Sequence, residues 1–161
     1  MMKTKPRYLL ILLVACLVSV VPVEEAARSE SKSVVESIDS AGIEKLIKNS
    51  QGTVIVAMAA WCLPCRKELP TLVKLYKKYE SRGLKMIGIS LDLNGPEAIQ
   101  PVLEKARATF PVYWAGEEGV EGLNIRALPL LLLVKDGSIV EKIVGTQPEA
   151  ILDQRINDLL K

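Results

Sequence analysis

Gly52–Leu72 reads GTVIVAMAAWCLPCRKELPTL. An unbroken apolar run rich in β-branched residues, following a glycine, predicts a strand buried on both faces. Two cysteines three positions apart come next, Cys62 and Cys65. Beyond them Leu69, Leu72, Val73, Tyr76 and Tyr79 keep helical spacing to about Ser81, and Gly83 ends the helix. The pair is therefore expected where a buried strand turns into a helix.

The chain holds three cysteines and no histidine. A structural zinc needs about four thiolate or imidazole ligands, which one copy of this chain does not supply. A c-type haem needs histidine after the second cysteine, where Arg66 stands. A passive disulfide over so short a loop adds little stability, because the gain grows with loop length. A redox role remains. A cysteine at a helix start faces unpaired amide N–H groups and the positive end of the dipole, which favour its thiolate. Cys62 is thus the expected nucleophile. Cys65, one turn on, is expected to be more buried and to resolve the mixed disulfide. Pro64 suits the first helical turn, where its missing N–H costs nothing. Trp61 is expected to cover the motif and join the partner surface, with core packing as the alternative. Pro70 falls inside the helix and is expected to kink it.

Outward from this stretch, α and β units alternate. A helix is expected over Ser40–Asn49, capped by Ser40. Leu84–Asp92 is a strand, and a helix bears Ile99, Val102, Leu103 and Ala106, starting late or bending at Pro101. Next come a short extended stretch FPVYWA, an irregular turn or short helix EEGVEGLNI, two strands meeting at Asp136-Gly137, and a last helix with Pro148 in its first turn. This order predicts an α/β fold. Its central mixed, mostly parallel sheet has helices on both faces and closes with a C-terminal β-hairpin plus helix.

Residues 1–23 read as a targeting segment, basic and then apolar. Tyr8 to Val23 would span roughly 24 Å as a helix, short of the bilayer core of roughly 30 Å. Three outcomes stay open: cleavage near VEEAA, an uncleaved anchor, or lipidation of Cys16 in LVAC. Each exports the domain. Residues 24–37 are polar and read as a tether, leaving 38–161 as the folded domain. The net charge is +2, of which Lys3, Lys5 and Arg7 account for three, so no electrostatic footprint for nucleic acid remains. Lys74, Lys77 and Lys78 read as a solvated helix face.

With WCLPC between strand and helix, and LP before a strand–Asp-Gly–strand hairpin, residues 38–161 resemble the thioredoxin superfamily. Within it they resemble the TlpA/ResA-like branch of exported bacterial thiol–disulfide oxidoreductases. The pattern W-C-x-P-C-x-x-E-x-P is matched by Trp61, Cys62, Pro64, Cys65, Glu68 and Pro70. The resemblance implies a redox-active Cys62–Cys65 disulfide and a proton-accepting role for Glu68, against a plain exposed helix carboxylate. It also implies a cis Pro129 that presents the Leu128 backbone to an extended partner, and tuning of the potential by Leu63 and Pro64. It implies protein dithiol or disulfide substrates in the cell envelope, a membrane thiol–disulfide electron donor, a membrane link through the N-terminal segment, no cofactor and a monomer. The implied place is the periplasmic or extracytoplasmic side of a bacterial envelope. The implied direction is reductive, with apocytochrome c among the partners. A disulfide-forming oxidant and a non-catalytic soft-metal module are the alternatives; the peroxidatic pattern P-x-x-x-T-x-x-C is absent. The sequence departs from the wider superfamily at Val56, where cytosolic thioredoxins carry a buried aspartate, and at Leu130, where threonine is frequent.

Overall fold

The run that precedes the cysteines forms the middle of a sheet. In a computed structural model that describes residues 35–161, apart from the Glu118 side chain, Thr53–Met58 is a strand with every residue buried. Val54, Ile55 and Ala57 have no exposed surface. Full burial of a valine or isoleucine side chain contributes about 1.5–3 kcal/mol, so this strand anchors both layers.

In chain order the elements are β1 (Glu36–Ser37), α1 (Ser40–Lys48), β2 (Thr53–Met58), α2 (Leu63–Tyr79), β3 (Lys85–Ser90), α3 (Gln100–Ala106), β4 (Val112–Trp114), α4 (Gly116–Gly122), β5 (Leu130–Lys135), β6 (Ser138–Val144) and α5 (Glu149–Leu159). The sheet runs β1-β4-β3-β2-β5-β6. The first four strands are parallel, and β5 and β6 add antiparallel pairings. One face packs Val56, Met58 and Leu131 under α2, α3 and α5; the other packs Ile55, Ile89 and Leu132 under α1 and α4. The expected architecture, a mixed sheet with helices on both faces and a closing hairpin and helix, is what the chain adopts.

Several details differ from the sequence expectation. The sheet gains an edge strand, β1, inside the stretch read as tether, and Val35 is already buried. Two polar residues carry no periodicity, and what holds them is main-chain pairing to β4, continued by Ile38 N–H to the Trp114 carbonyl at 2.8 Å. The cap of α1 is Asp39, whose carboxylate accepts from Gly42 N–H at 2.7 Å; Ser40 is already helical. Pro101 lies in the first turn of α3, so that helix starts late. Lys74 and Lys78 are exposed but paired, with Glu149 at 2.7 Å and Asp153 at 2.6 Å, while Arg82 donates to Asn157 at 3.1 Å. Four-residue steps on both helices line α5 up along α2. Such exposed pairs fix orientation more than they add stability.

The hairpin turns at Asp136 and Gly137, with φ of 49° and 75°. A Cβ at Gly137 would stand 2.8 Å from the Lys48 carbonyl oxygen, so only glycine fits this close approach. Among the described residues no helix is long and apolar enough to cross a membrane. The leader, Cys16 and most of the tether lie outside the described residues.

Candidate active site

β2 ends at Met58, between the C-terminal end of parallel β3 and the start of antiparallel β5. The chain then makes a tight turn, with Cys62 N–H donating to the Ala59 carbonyl at 3.1 Å. Cys62 has extended backbone angles and serves as the N-cap of α2; its Sγ accepts from Cys65 N–H at 3.2 Å. The sulfur thus occupies the position where the first-turn amides and the helix dipole favour negative charge. No acidic side chain lies in that first turn. Cys62 and Cys65 are joined by a disulfide with a 5.3 Å Cα separation.

The two cysteines are equally buried, each 4% exposed, rather than Cys65 more so. Trp61, Leu63 and Pro64 line the same groove as Cys62. The asymmetry between the sulfurs lies in what they face. Cys62 lines an apolar groove of about 520 Å³, and Cys65 does not. Trp61 is 65% exposed on that groove, so it is a surface residue and not core packing.

Pro129 immediately precedes β5, whose first residue, Leu130, pairs with Ala57. That register sets residues 128 and 129 against the end of β2. The Leu128–Pro129 peptide is cis, the Pro129 carbonyl accepts from Gly145 N–H at 2.8 Å, and Leu128 lines the same groove as Cys62. The fold therefore gathers Trp61, Cys62, Pro64 and Leu128 at one mouth.

Glu68 faces elsewhere. It is buried rather than an exposed helix carboxylate, and at i+3 from Cys65 it lies on the same helix face. Its Oε1 accepts from Gln147 N–H at 2.8 Å; its Oε2 is buried without a hydrogen-bond partner among the described residues. Burial pushes its pKa above the usual carboxylate value, against the opposing pull of the Gln147 amide. Glu68 borders a second cleft of about 370 Å³ with Lys67, Thr71, Thr146 and Gln147, on the far side of Leu63 and Pro64.

Asp92 carries no assigned role in the sequence reading, yet it secures the turn. It is 2% exposed; its two carboxylate oxygens accept from Ala60 N–H at 2.9 and 3.1 Å, and Oδ2 accepts from the Ser90 hydroxyl at 2.8 Å. Its own carbonyl accepts from the Trp114 indole at 2.6 Å. The available signal was an acid closing the stretch read as a strand, Leu84–Asp92. Gln147 acts through its backbone, which no side-chain pattern marks. Among the described residues no cluster of three or more histidine, cysteine or acidic side chains could hold a metal ion.

The model of the AhpC/TSA family matches residues 35–123, more than half of the chain. The chain belongs to that family. The matched segment carries the dithiol and Glu68 and stops short of Pro129. Thiol-disulfide oxidoreductase ResA of Bacillus cereus is 30% identical over 122 residues, covering 74% of this chain and 70% of the relative. This likeness and the dithiol at the helix start make the chain a TlpA/ResA-like member of the thioredoxin family and a thiol–disulfide oxidoreductase. Solved structures extend the fold comparison over most of the chain. The thioredoxin domain of a thiol-disulfide oxidoreductase from Bacteroides vulgatus is similar with a TM-score of 0.63 at 22% identity, covering 79% of this chain and 93% of that one. A secreted Mycobacterium tuberculosis disulfide oxidoreductase homologous to E. coli DsbE gives a TM-score of 0.62 at 15% identity, covering 80% and 98%.

Proposed function

We propose that the protein is an exported reductant that opens disulfides in partner proteins of the bacterial cell envelope. The observation that carries the reading is the division of labour around α2. Cys62 Sγ caps the helix on the wall of an open groove, and a buried carboxylate with a free oxygen lies one turn beyond Cys65.

In the reduced protein the Cys62 thiolate attacks one sulfur of the partner's disulfide. The Cys62–partner bond forms, the partner's S–S bond breaks, and the partner's other sulfur leaves as a thiolate. Cys65 then gives its proton to Glu68 and attacks Cys62 Sγ. The mixed disulfide breaks and the partner's second sulfur leaves as a thiolate; the two partner thiolates take up protons from Glu68 and solvent, and the protein, having given up two electrons, is left with the Cys62–Cys65 disulfide. A carboxylate whose pKa is raised by burial lies closer to that of a thiol, and a closer match makes a better proton acceptor. Trp61 and Pro64 hold the partner near Cys62, and the Leu128 backbone, before cis Pro129, aligns it. A membrane thiol–disulfide donor restores the dithiol. Residues 1–23 export or anchor the protein, with Cys16 as a lipidation site in one version, and the domain acts as a monomer. Apocytochrome c, whose haem-binding cysteines must be reduced, fits as a partner.

The redox equilibrium of Cys62–Cys65 against glutathione tests the direction. A potential near that of thioredoxin, about −270 mV, supports a reductant, whereas one near about −120 mV reverses the assignment. A Cys65→Ala variant should trap partners through Cys62. Trapping by Cys62→Ala instead would exchange the two roles.

A further inference from the structure

The groove beside Cys62 has a chemical signature of its own. Trp61, Leu93 and Val120 come from three separate segments and expose 65%, 68% and 37% of their surface into or beside it. Large apolar side chains gathered at one mouth mark a recognition surface. Arg126 is the sole charged residue of its lining among the described residues. Across the ridge of Leu63 and Pro64 stands Lys67, with exposed Arg66 beside it. None of these three cations has an ion-pair partner among the described residues. Of the acids nearby, Glu68 and Asp92 are buried, and the exposed Glu117 and Glu121 of α4 are not among the described residues that line the groove. Residues 35–161 carry 16 cationic and 16 anionic side chains, so this positive rim is a local segregation in a neutral domain. The N-terminal end of α2 adds to the same sign.

We propose, resting on the thiol–disulfide reading above, that the groove selects an extended partner segment in which the reactive cysteine is flanked by a bulky apolar residue and a carboxylate. The apolar side chain seats among Trp61, Leu93, Val120 and Leu128, and the carboxylate meets Arg126. A second copy of this chain is a poor occupant, because it would bring one cationic rim against another. Complementary charge acts mainly on the rate of encounter and is screened by salt.

The test uses the reduced full-length protein and disulfide-bonded peptides with leucine beside the cysteine, flanked by aspartate, asparagine or lysine. Each rate is divided by that of the same peptide with dithiothreitol, which removes differences in intrinsic reactivity. At low ionic strength the aspartate peptide should react about tenfold faster than the lysine peptide, and the ratio should approach one at about 0.5 M salt. Arg126→Glu should abolish or invert the preference. Lys85→Glu makes the same charge change at the far end of the sheet, where Lys85 pairs with Thr53, and should leave it intact. Replacing the peptide leucine with serine should slow the reaction at every salt concentration. Equal rates for the three peptides, or a Lys85→Glu effect as large as that of Arg126→Glu, would overturn the inference while the dithiol reading stands. So would a peptide rate per molecule that falls as protein concentration rises, the sign of a second copy filling the groove. Failure to reduce hydroxyethyl disulfide, a small neutral probe, would sink the dithiol reading and this inference with it.

Discussion

The two clefts on either side of Leu63 and Pro64 share a wall but not a chemistry. One is apolar, opens onto Cys62 and carries, among the described residues, a single charge, Arg126; the other is lined by Lys67, Glu68, Thr71, Thr146 and Gln147. The first motif supplies residues to both, because a helix start turns successive side chains in different directions. Trp61 and Cys62 precede α2 and face the groove, whereas Lys67 and Glu68 lie on its next turn and face the polar side. Electron transfer needs close contact with a partner, and proton transfer needs a route to water. With separate mouths, a partner seated on the first leaves the second uncovered.

That contrast is open to direct attack. The largest effect is expected from Cys62→Ser, which removes the only sulfur lining the groove among the described residues and should reduce disulfide reduction to background, measured with insulin as substrate. Activity surviving there would mean that Cys65 reaches a partner through the polar cleft, and the division between the clefts would collapse. Next in size, Glu68→Gln should slow resolution of the mixed disulfide by about 100-fold, the ordinary scale of a lost proton acceptor, while the first attack keeps its rate. Single-turnover kinetics separate the two steps. The same variant carries a stability signature. Glu68 has a folded pKa above its unfolded one, so the folded state holds the proton more tightly. Its contribution to stability is greatest below the unfolded carboxylate range and declines as pH rises through the folded value. Urea midpoints of the wild type should show that decline, and those of Glu68→Gln should not.

Asp92→Ala sharpens the comparison from behind the shared wall. It strips the acceptor from Ala60 N–H and from the Ser90 hydroxyl, both held in a buried network, and should cost about 2–3 kcal/mol in denaturant unfolding. Because the turn it holds leads into both clefts, exchange should suffer with every substrate alike. The smallest effect belongs to Leu93→Ser. Leu93 is 68% exposed, so stability should not move, but reduction of a protein substrate should slow by about threefold to fivefold with hydroxyethyl disulfide unaffected. A uniform loss would show that the apolar groove recognises nothing.

How far the sequence reaches differs between these regions. The motif side was legible because it is local. A buried strand, a cap and a proline in the first turn all follow from near neighbours, and together they place Cys62 at the helix start. The hairpin at Asp136-Gly137 was legible for the same reason. Equal burial of the two cysteines was not, since it depends on what packs around Cys62 in space and not on its place at the helix start. Strand β1 was not, because its two polar residues are held by main-chain bonds to β4, 77 positions away in the register Glu36 to Tyr113. Asp92 and Gln147 reach the site only through chain reversals that no periodicity encodes.

By itself the sequence determined the alternation of strands and helices, the helix start beneath Cys62 and the dithiol chemistry that follows from it. Those rest on hydrophobic period, capping and the dipole, all of which act within a few residues. The tertiary structure alone decided that Leu93 and Val120 share a groove with Cys62, that Glu68 is buried with one oxygen free, and that Asp92 holds the turn. Each of these comes from packing distant segments around one sheet, where burial and hydrogen-bond satisfaction are set by neighbours in space and not in sequence.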